Sequence, residues 1–275
     1  DDKIAWYEND GSESFTEHSI STSADGASSV HAADVDGDGD MDVLSANQSD
    51  DKIAWYENNG SESFTEHAIS TSADGAESVY AVDVDGDGDM DVLSASFSDD
   101  KIAWYENDGS ESFTEHAIST SADGAHSVHT ADVDGDGDMD VLSASFSDDK
   151  IAWYENNGSQ SFTAHSITTS ANGATTVHAA DVDGDGDMDV LSANQSDDKI
   201  AWYENNGSES FTEHAISTSA GGARGVYAAD VDGDGDMDVL SSSRDDNKIA
   251  WYENNGSHGF ESPIFVDHSI STSAD

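Results

Sequence analysis

The stretch Asp34-Val-Asp36-Gly-Asp38-Gly39-Asp40-Met-Asp42 sets five carboxylates on alternate positions of nine residues. It recurs as Asp83, Asp85, Asp87, Asp89 and Asp91; as Asp132, Asp134, Asp136, Asp138 and Asp140; as Asp181, Asp183, Asp185, Asp187 and Asp189; and as Asp230, Asp232, Asp234, Asp236 and Asp238. Carboxylates at positions 1, 3, 5 and 9, with Gly at position 6, match the way oxygen ligands are arrayed around Ca²⁺. In the first loop, side-chain ligation is assigned to Asp34, Asp36, Asp38 and Asp42, with the Asp40 carbonyl contributing at position 7. Gly39 permits the turn that folds both halves around the ion. Position 12 is Ser45 rather than the Glu of an EF-hand, so Asp42 is expected to close the site. A bare acidic turn is the bland reading, but five crowded carboxylates repel one another unless a cation neutralises them. Mg²⁺ sheds its waters reluctantly, so about five Ca²⁺ are expected, one per loop.

These loops need a frame that repeats with them. Copies begin at Gly26, Gly75, Gly124, Gly173 and Gly222 with a 49-residue step, giving repeats 26–74, 75–123, 124–172, 173–221 and 222–275. Residues 1–25 read as the second half of a further copy within one domain, 1–275. Each copy predicts four strands: Ser29–Ala33 (A), Met41–Ala46 (B), Lys52–Asn58 (C) and Phe64–Ser70 (D), from β-branched and aromatic runs between Gly, Asn, Asp and Ser clusters. On strand C, Ile53 and Trp55 share one face, and Ala54 and Tyr56 the other. Asn59-Gly60 predicts a tight hairpin between C and D. Four strands per copy at this period predict an all-β chain, a β-propeller of four-stranded antiparallel blades. Strands C and D occur six times against five for A and B, which leaves five or six blades open.

Composition narrows the function classes. Sixty acids against eight bases give a net charge of −52, and five Ca²⁺ would leave about −42. Such a field repels nucleic acid and anionic membranes, so neither is an expected partner. Cysteine is absent, no apolar run is long enough to span a bilayer, and no signal peptide opens the sequence. Because the sequence starts in mid-repeat, a mature or excised segment is expected. Loops needing abundant Ca²⁺ suit a secreted or cell-surface setting.

The unit Ala-Asp-Val-Asp-Gly-Asp-Gly-Asp-Met-Asp-Val-Leu, followed by Trp-Tyr-Glu-Asn-Asn-Gly-Ser-Glu-Ser-Phe, resembles the VCBS repeats of the FG-GAP family over essentially the whole sequence. The resemblance implies a propeller with Ca²⁺ in the A–B hairpin, similar to integrin α-subunit heads and some fungal lectins. It also implies a secreted or surface protein used in adhesion, carbohydrate binding or as a module. The near-identity of the copies and the unmatched half repeat depart from the family pattern.

Differences between copies fall at Ser28, Glu77, His126, Thr175 and Arg224, before strand A, and at Gln48, Phe97, Phe146, Gln195 and Arg244, between B and C. Both connections emerge at the blade end opposite the acidic loops, where a carbohydrate or protein ligand could bind; drift on unconstrained loops is the plainer reading. Trp6, Trp55, Trp104, Trp153, Trp202 and Trp251 are expected in the core between blades rather than as a sugar platform. His18, His67, His116, His165, His214 and His268 recur singly on strand D, a packing role rather than a zinc site. His31, Tyr80, His129, His178 and Tyr227 on strand A are expected to line a channel. The insertion Ser257–Val266, with the only proline, Pro263, is expected to cap an edge. Every evident Asp pair belongs to a loop and no nucleophile–base set appears, so a non-catalytic binding, adhesion or scaffold module is expected. A calcium-dependent lectin and a repeat that self-associates through its half unit are the alternatives.

Overall fold

The structure is a computed structural model and describes residues 2–12, 14–256 and 265–271, the last as backbone only. The expected cap over 257–266 lies, up to residue 264, outside the described residues. The chain divides into two compact units, Asp1–Ser121 and Ala122–Asp275.

The first unit opens with β1 (Ile4–Asn9) and β2 (Phe15–Ser21), which form a sheet of two strands. Then come β3 (Ala27–Ala33), β4 (Asp42–Asn47), β5 (Lys52–Asn58) and β6 (Phe64–Ser70), hydrogen-bonded in chain order. β7 (Ala76–Val82), β8 (Asp91–Ser96), β9 (Lys101–Asn107) and β10 (Phe113–Ser119) repeat that sheet. The second unit holds three more: β11 (Ala125–Ala131) to β14 (Phe162–Thr168), β15 (Ala174–Ala180) to β18 (Phe211–Ser217), and β19 (Ala223–Ala229) to β22 (Phe265–Ser271). Five four-stranded antiparallel sheets are the blades of a β-propeller, and the half repeat stands beside them as a two-stranded sheet of its own. Of the two counts left open, this is five complete blades with one C–D hairpin over.

Strand C shows why a blade needs neighbours. Ile53, Ala54, Trp55 and Tyr56 are all buried, so the period-two pattern separates two apolar faces rather than a wet face from a dry one. Ile53 and Trp55 pack with Leu44, Ala46 and Val35 against Val79, Val92, Ala103 and Tyr105 of the next blade. Ala54 and Tyr56 turn the other way, onto Ile4 and Ala24 of the half repeat. The second unit repeats the scheme, with Trp153 beside Tyr203 and Trp202 beside Tyr252. Trp55, Trp104, Trp153 and Trp202 are each 1% exposed, the core role expected of them.

The C–D connection spans the five residues that the expected strand bounds leave between β5 and β6. Residues 59–63 form a five-residue loop closed by Asn59 N donating to Ser63 O at 3.2 Å. Gly60 at φ 70° and Glu62 at φ 58° both take the left-handed region, and the second of these is invisible to an Asn-Gly rule. Strand A begins two residues earlier than expected because Gln48 N and Ser49 N donate to Gly26 O and Asp25 O, tying the B–C and D–A connections together.

Candidate metal centre

Each acidic loop joins the first strand of a blade to the second. Gly37 and Gly39, at φ 73° and 96°, reverse the chain twice within it. Asp34 Oδ2 then accepts from Gly39 N at 3.1 Å, Asp36 Oδ1 from Asp38 N at 3.1 Å, and Asp38 Oδ1 from Asp40 N at 2.8 Å. Asp42 opens β4, where the chain is fully buried. Its Oδ2 accepts from Val35 N at 3.0 Å and its Oδ1 from Asn58 N at 2.7 Å, so one carboxylate joins the loop to the end of β5.

The turns converge oxygens. One ligand atom from each of Asp34, Asp36 and Asp42 lies within 4.8 Å of the others, as do those of Asp83, Asp85 and Asp91 and of Asp181, Asp183 and Asp189. In the two remaining loops the groups are Asp132, Asp134 and Asp136, and Asp230, Asp232 and Asp234. Positions 1 and 3 therefore join in every loop, while the third member is position 9 or position 5. Position 7 joins none of these groups; Asp40 instead lies against Gly60 of the C–D loop, and Asp89, Asp138, Asp187 and Asp236 take the same place. That leaves only the backbone carbonyl of position 7 for the role expected of it.

The electrostatics fit a cation. Burial pushes the carboxyls of Asp91 and Asp140 up to about 6 and that of Asp189 up to about 7, against backbone N–H groups that pull them down. Burial also raises Asp36, Asp134 and Asp183, with neighbouring aspartates adding to the shift. Asp34 Oδ1 and Asp132 Oδ1 are buried without a hydrogen-bond partner. Oxygens that are buried, crowded and under-satisfied suit a hard divalent ion, which inverts this local penalty.

Sequence reasoning missed the layer behind these carboxylates. Glu155 and Glu204 face Asp134 and Asp183 closely enough to raise them. Glu155 is held at 2.8 Å by His165 Nε2, and Glu204 at 2.7 Å by His214 Nε2. Those rings stack on Trp153 and Trp202 at 4.5 Å. The repeated Trp-Tyr-Glu of strand C was the available signal, since Trp and Glu at i and i+2 share a face. His165 and His214 thus have the packing role expected, and a hydrogen bond to a glutamate besides.

At the other blade end, several of the residues that vary between copies brace adjacent blades. Gln48 Nε2 donates to the Glu77 carboxylate, and Arg224 Nη1 to Gln195 Oε1 at 3.2 Å. The Ser28 hydroxyl reaches Ala76 O and Glu77 O, and the buried Thr175 hydroxyl reaches Ala223 O and Arg224 O. On the first strands, the His31 ring lies tilted against Tyr80 at 4.4 Å, and His178 sits between His129 and Tyr227 at 4.6 and 4.5 Å.

The profile of the FG-GAP-like repeat matches residues 1–45, 34–94, 83–143, 132–192, 181–241 and 230–274. No curated protein matches the sequence. Among solved structures, a Lactobacillus plantarum protein is similar at TM-score 0.65 and 15% identity, over 96% of this chain and 76% of its own. A Bacteroides fragilis protein, provisionally assigned as a 6-phosphogluconolactonase, is similar at TM-score 0.58 and 14% identity, over 85% and 69%. The V. cholerae biofilm matrix protein Bap1 follows at TM-score 0.51 and 21% identity, over 83% of this chain and 37% of that one. Identities this low speak for the fold.

Proposed function

The chain belongs to the FG-GAP-like repeat family, and on that premise we propose that it is a calcium-binding, non-catalytic β-propeller module serving binding or adhesion outside the cell. The observation that carries this reading is the recurrence of three convergent aspartates in all five loops, backed by buried carboxylates that the polypeptide alone leaves costly. Calcium bound there acts structurally: it neutralises the loop and locks the A–B turn to the end of strand C, so that binding and folding are linked. Among the described residues, every convergent group of three aspartates lies in these loops, which supports a role without catalysis.

Calorimetric titration of the calcium-stripped chain should give about five sites, and EDTA should lower the melting temperature of the loaded chain. Absence of binding heat together with an EDTA-insensitive melt would refute the reading. The likeness to a biofilm matrix protein is compatible with an adhesive role, and a lectin is its sharper form. Glycan-array binding that disappears in EDTA is the test of that form.

A further inference from the structure

The turn between the third and fourth strands of a blade carries chemistry that the metal site does not use. Its sequence is Asn-Gly-Ser at Asn59, Asn157 and Asn206, and Asp-Gly-Ser at Asp10 and Asp108. Asparagine followed by glycine closes readily to a succinimide, because no side chain shields the glycine nitrogen from the neighbouring carboxamide. The rate of closure depends on what meets Oδ1, where negative charge builds as that nitrogen attacks Cγ.

The folded turn supplies donors at this atom. Asn157 Oδ1 accepts from Ser159 N at 3.1 Å and from Ser159 Oγ at 2.7 Å. Asn59 Oδ1 accepts from Ser61 N alone, at 3.0 Å, and Asn206 Oδ1 from Ser208 N alone, at 3.1 Å. All three asparagines are exposed. The attacking nitrogen is held alike in each: Gly60, Gly158 and Gly207 N donate to Asn58, Asn156 and Asn205 Oδ1 at 3.2 Å, so this bond leaves their order unchanged.

The turn also accommodates the product. Asp108 Oδ1 accepts from Ser110 N at 3.0 Å and from Ser110 Oγ at 2.6 Å, the same pair of bonds that Asn157 makes. Those bonds hold the Asp108 carboxyl below its usual range. Asp10 receives the equivalent pair from Ser12, at 2.7 and 2.8 Å. Asn172-Gly173, in the connection between two blades, supplies the contrast. Among the described residues nothing donates to the exposed Asn172 side chain, and Gly173 N is held by the Asp149 carboxylate at 2.9 Å.

We propose that Asn157 is a site of spontaneous modification built into the folded turn, with Asn59 and Asn206 as slower copies. The Gly158 nitrogen bonds to Asn157 Cγ while its proton passes through solvent to Nδ2, which leaves as ammonia when the Cγ–Nδ2 bond breaks. Water then opens the ring at either carbonyl, leaving aspartate or isoaspartate at position 157. Gly158 lies against the Asp138 carboxylate, so the event adds a negative charge beside an acidic loop.

The test incubates the folded chain in mildly alkaline buffer and then cuts it after lysine in mild acid. Cuts at Lys52, Lys101, Lys150, Lys199 and Lys248 put Asn59, Asn157 and Asn206 on separate peptides. Fragmentation mass spectrometry locates each amide-to-acid gain and separates Asn157 from Asn172 on their shared peptide. Asn157 should convert about threefold faster than Asn59 or Asn206, the effect of one further hydrogen bond, and faster still than Asn172. Ser159→Ala, a change at an exposed turn that leaves the melting temperature in place, should bring Asn157 down to the rate of Asn59. In urea, where the turn is lost, Asn157 and Asn172 should convert at matching rates. The proposal is overturned if the folded chain converts Asn172 as fast as Asn157, if Ser159→Ala leaves the Asn157 rate unchanged, or if the difference between the two asparagines survives in urea.

Discussion

Asp189 accepts hydrogen bonds from Asn205 N and Val182 N, both at 2.8–2.9 Å, while lying in reach of Asp181 and Asp183. An asparagine there keeps the shape but turns one acceptor into a donor that faces a backbone N–H. Asp189→Asn should therefore destabilise the calcium-loaded chain by about 1–3 kcal/mol and shrink the gap between its melts in calcium and in EDTA. Thermal denaturation in both buffers measures this. A second residue-scale effect concerns His178, whose imidazole is pushed down to about 4 by burial between His129 and Tyr227. A base with a depressed folded pKa favours the native state above its unfolded value near 6.5, and that stability is lost as pH falls toward 4. Allowing for its partial exposure, the loss should be about 1–2 kcal/mol. His178→Gln should flatten the acid limb of a stability–pH profile between those values.

At the scale of the element, strands were legible because the pattern of Lys52–Asn58 is strong and repeats; β5 and β6 have the bounds their residues predict. Loops were less so. The residues 59–63 close, through the Asn59 N to Ser63 O bond, with Glu62 in the left-handed region, a conformation that its side-chain type does not announce. The aspartate triads were readable from spacing and Glu204 was signalled by the repeated Trp-Tyr-Glu, whereas its partner His214 is brought to it only by strand register. Connections between elements also set tolerance to substitution. Gly26, at φ 66°, would bring an added Cβ within 2.9 Å of Ser49 N, whereas Gly11, at φ 75°, has nothing within 4 Å. Gly11→Ala should cost about 1 kcal/mol from backbone strain, and Gly26→Ala about 1–3 kcal/mol more because the B–C backbone must move. Chemical denaturation of the two variants gives the comparison.

For the whole molecule, the dominant quantity is the charge of −52. Part of it is locally paired: Lys52 Nζ lies 3.1 Å from Asp50 and 2.8 Å from Glu66, and Lys101 and Lys199 repeat the arrangement. The remainder opposes compactness until cations offset it. Stripped of calcium, the chain should melt at higher temperature as sodium chloride is raised, because screening shortens the reach of like-charge repulsion. Each ion should add about 2.7 kcal/mol once free calcium is a hundredfold above its dissociation constant, and salt should then matter less. Melts across a salt series, with and without calcium, check both statements.

The hydrogen bonds from Asn107 to Val35, Asn205 to Val133 and Asn254 to Val182 all span 72 residues, and those from Ser28 to Ala76 and Thr175 to Ala223 span 48. Asn107, Asn205 and Asn254 stand 98 and 49 residues apart, and so do their acceptors Val35, Val133 and Val182, so this asparagine stitch recurs in the stride of the repeat. A recombination event that inserts or removes one 49-residue copy in phase restores an equivalent donor and acceptor at this stitch, so the lineage can count its blades up or down while keeping the contact.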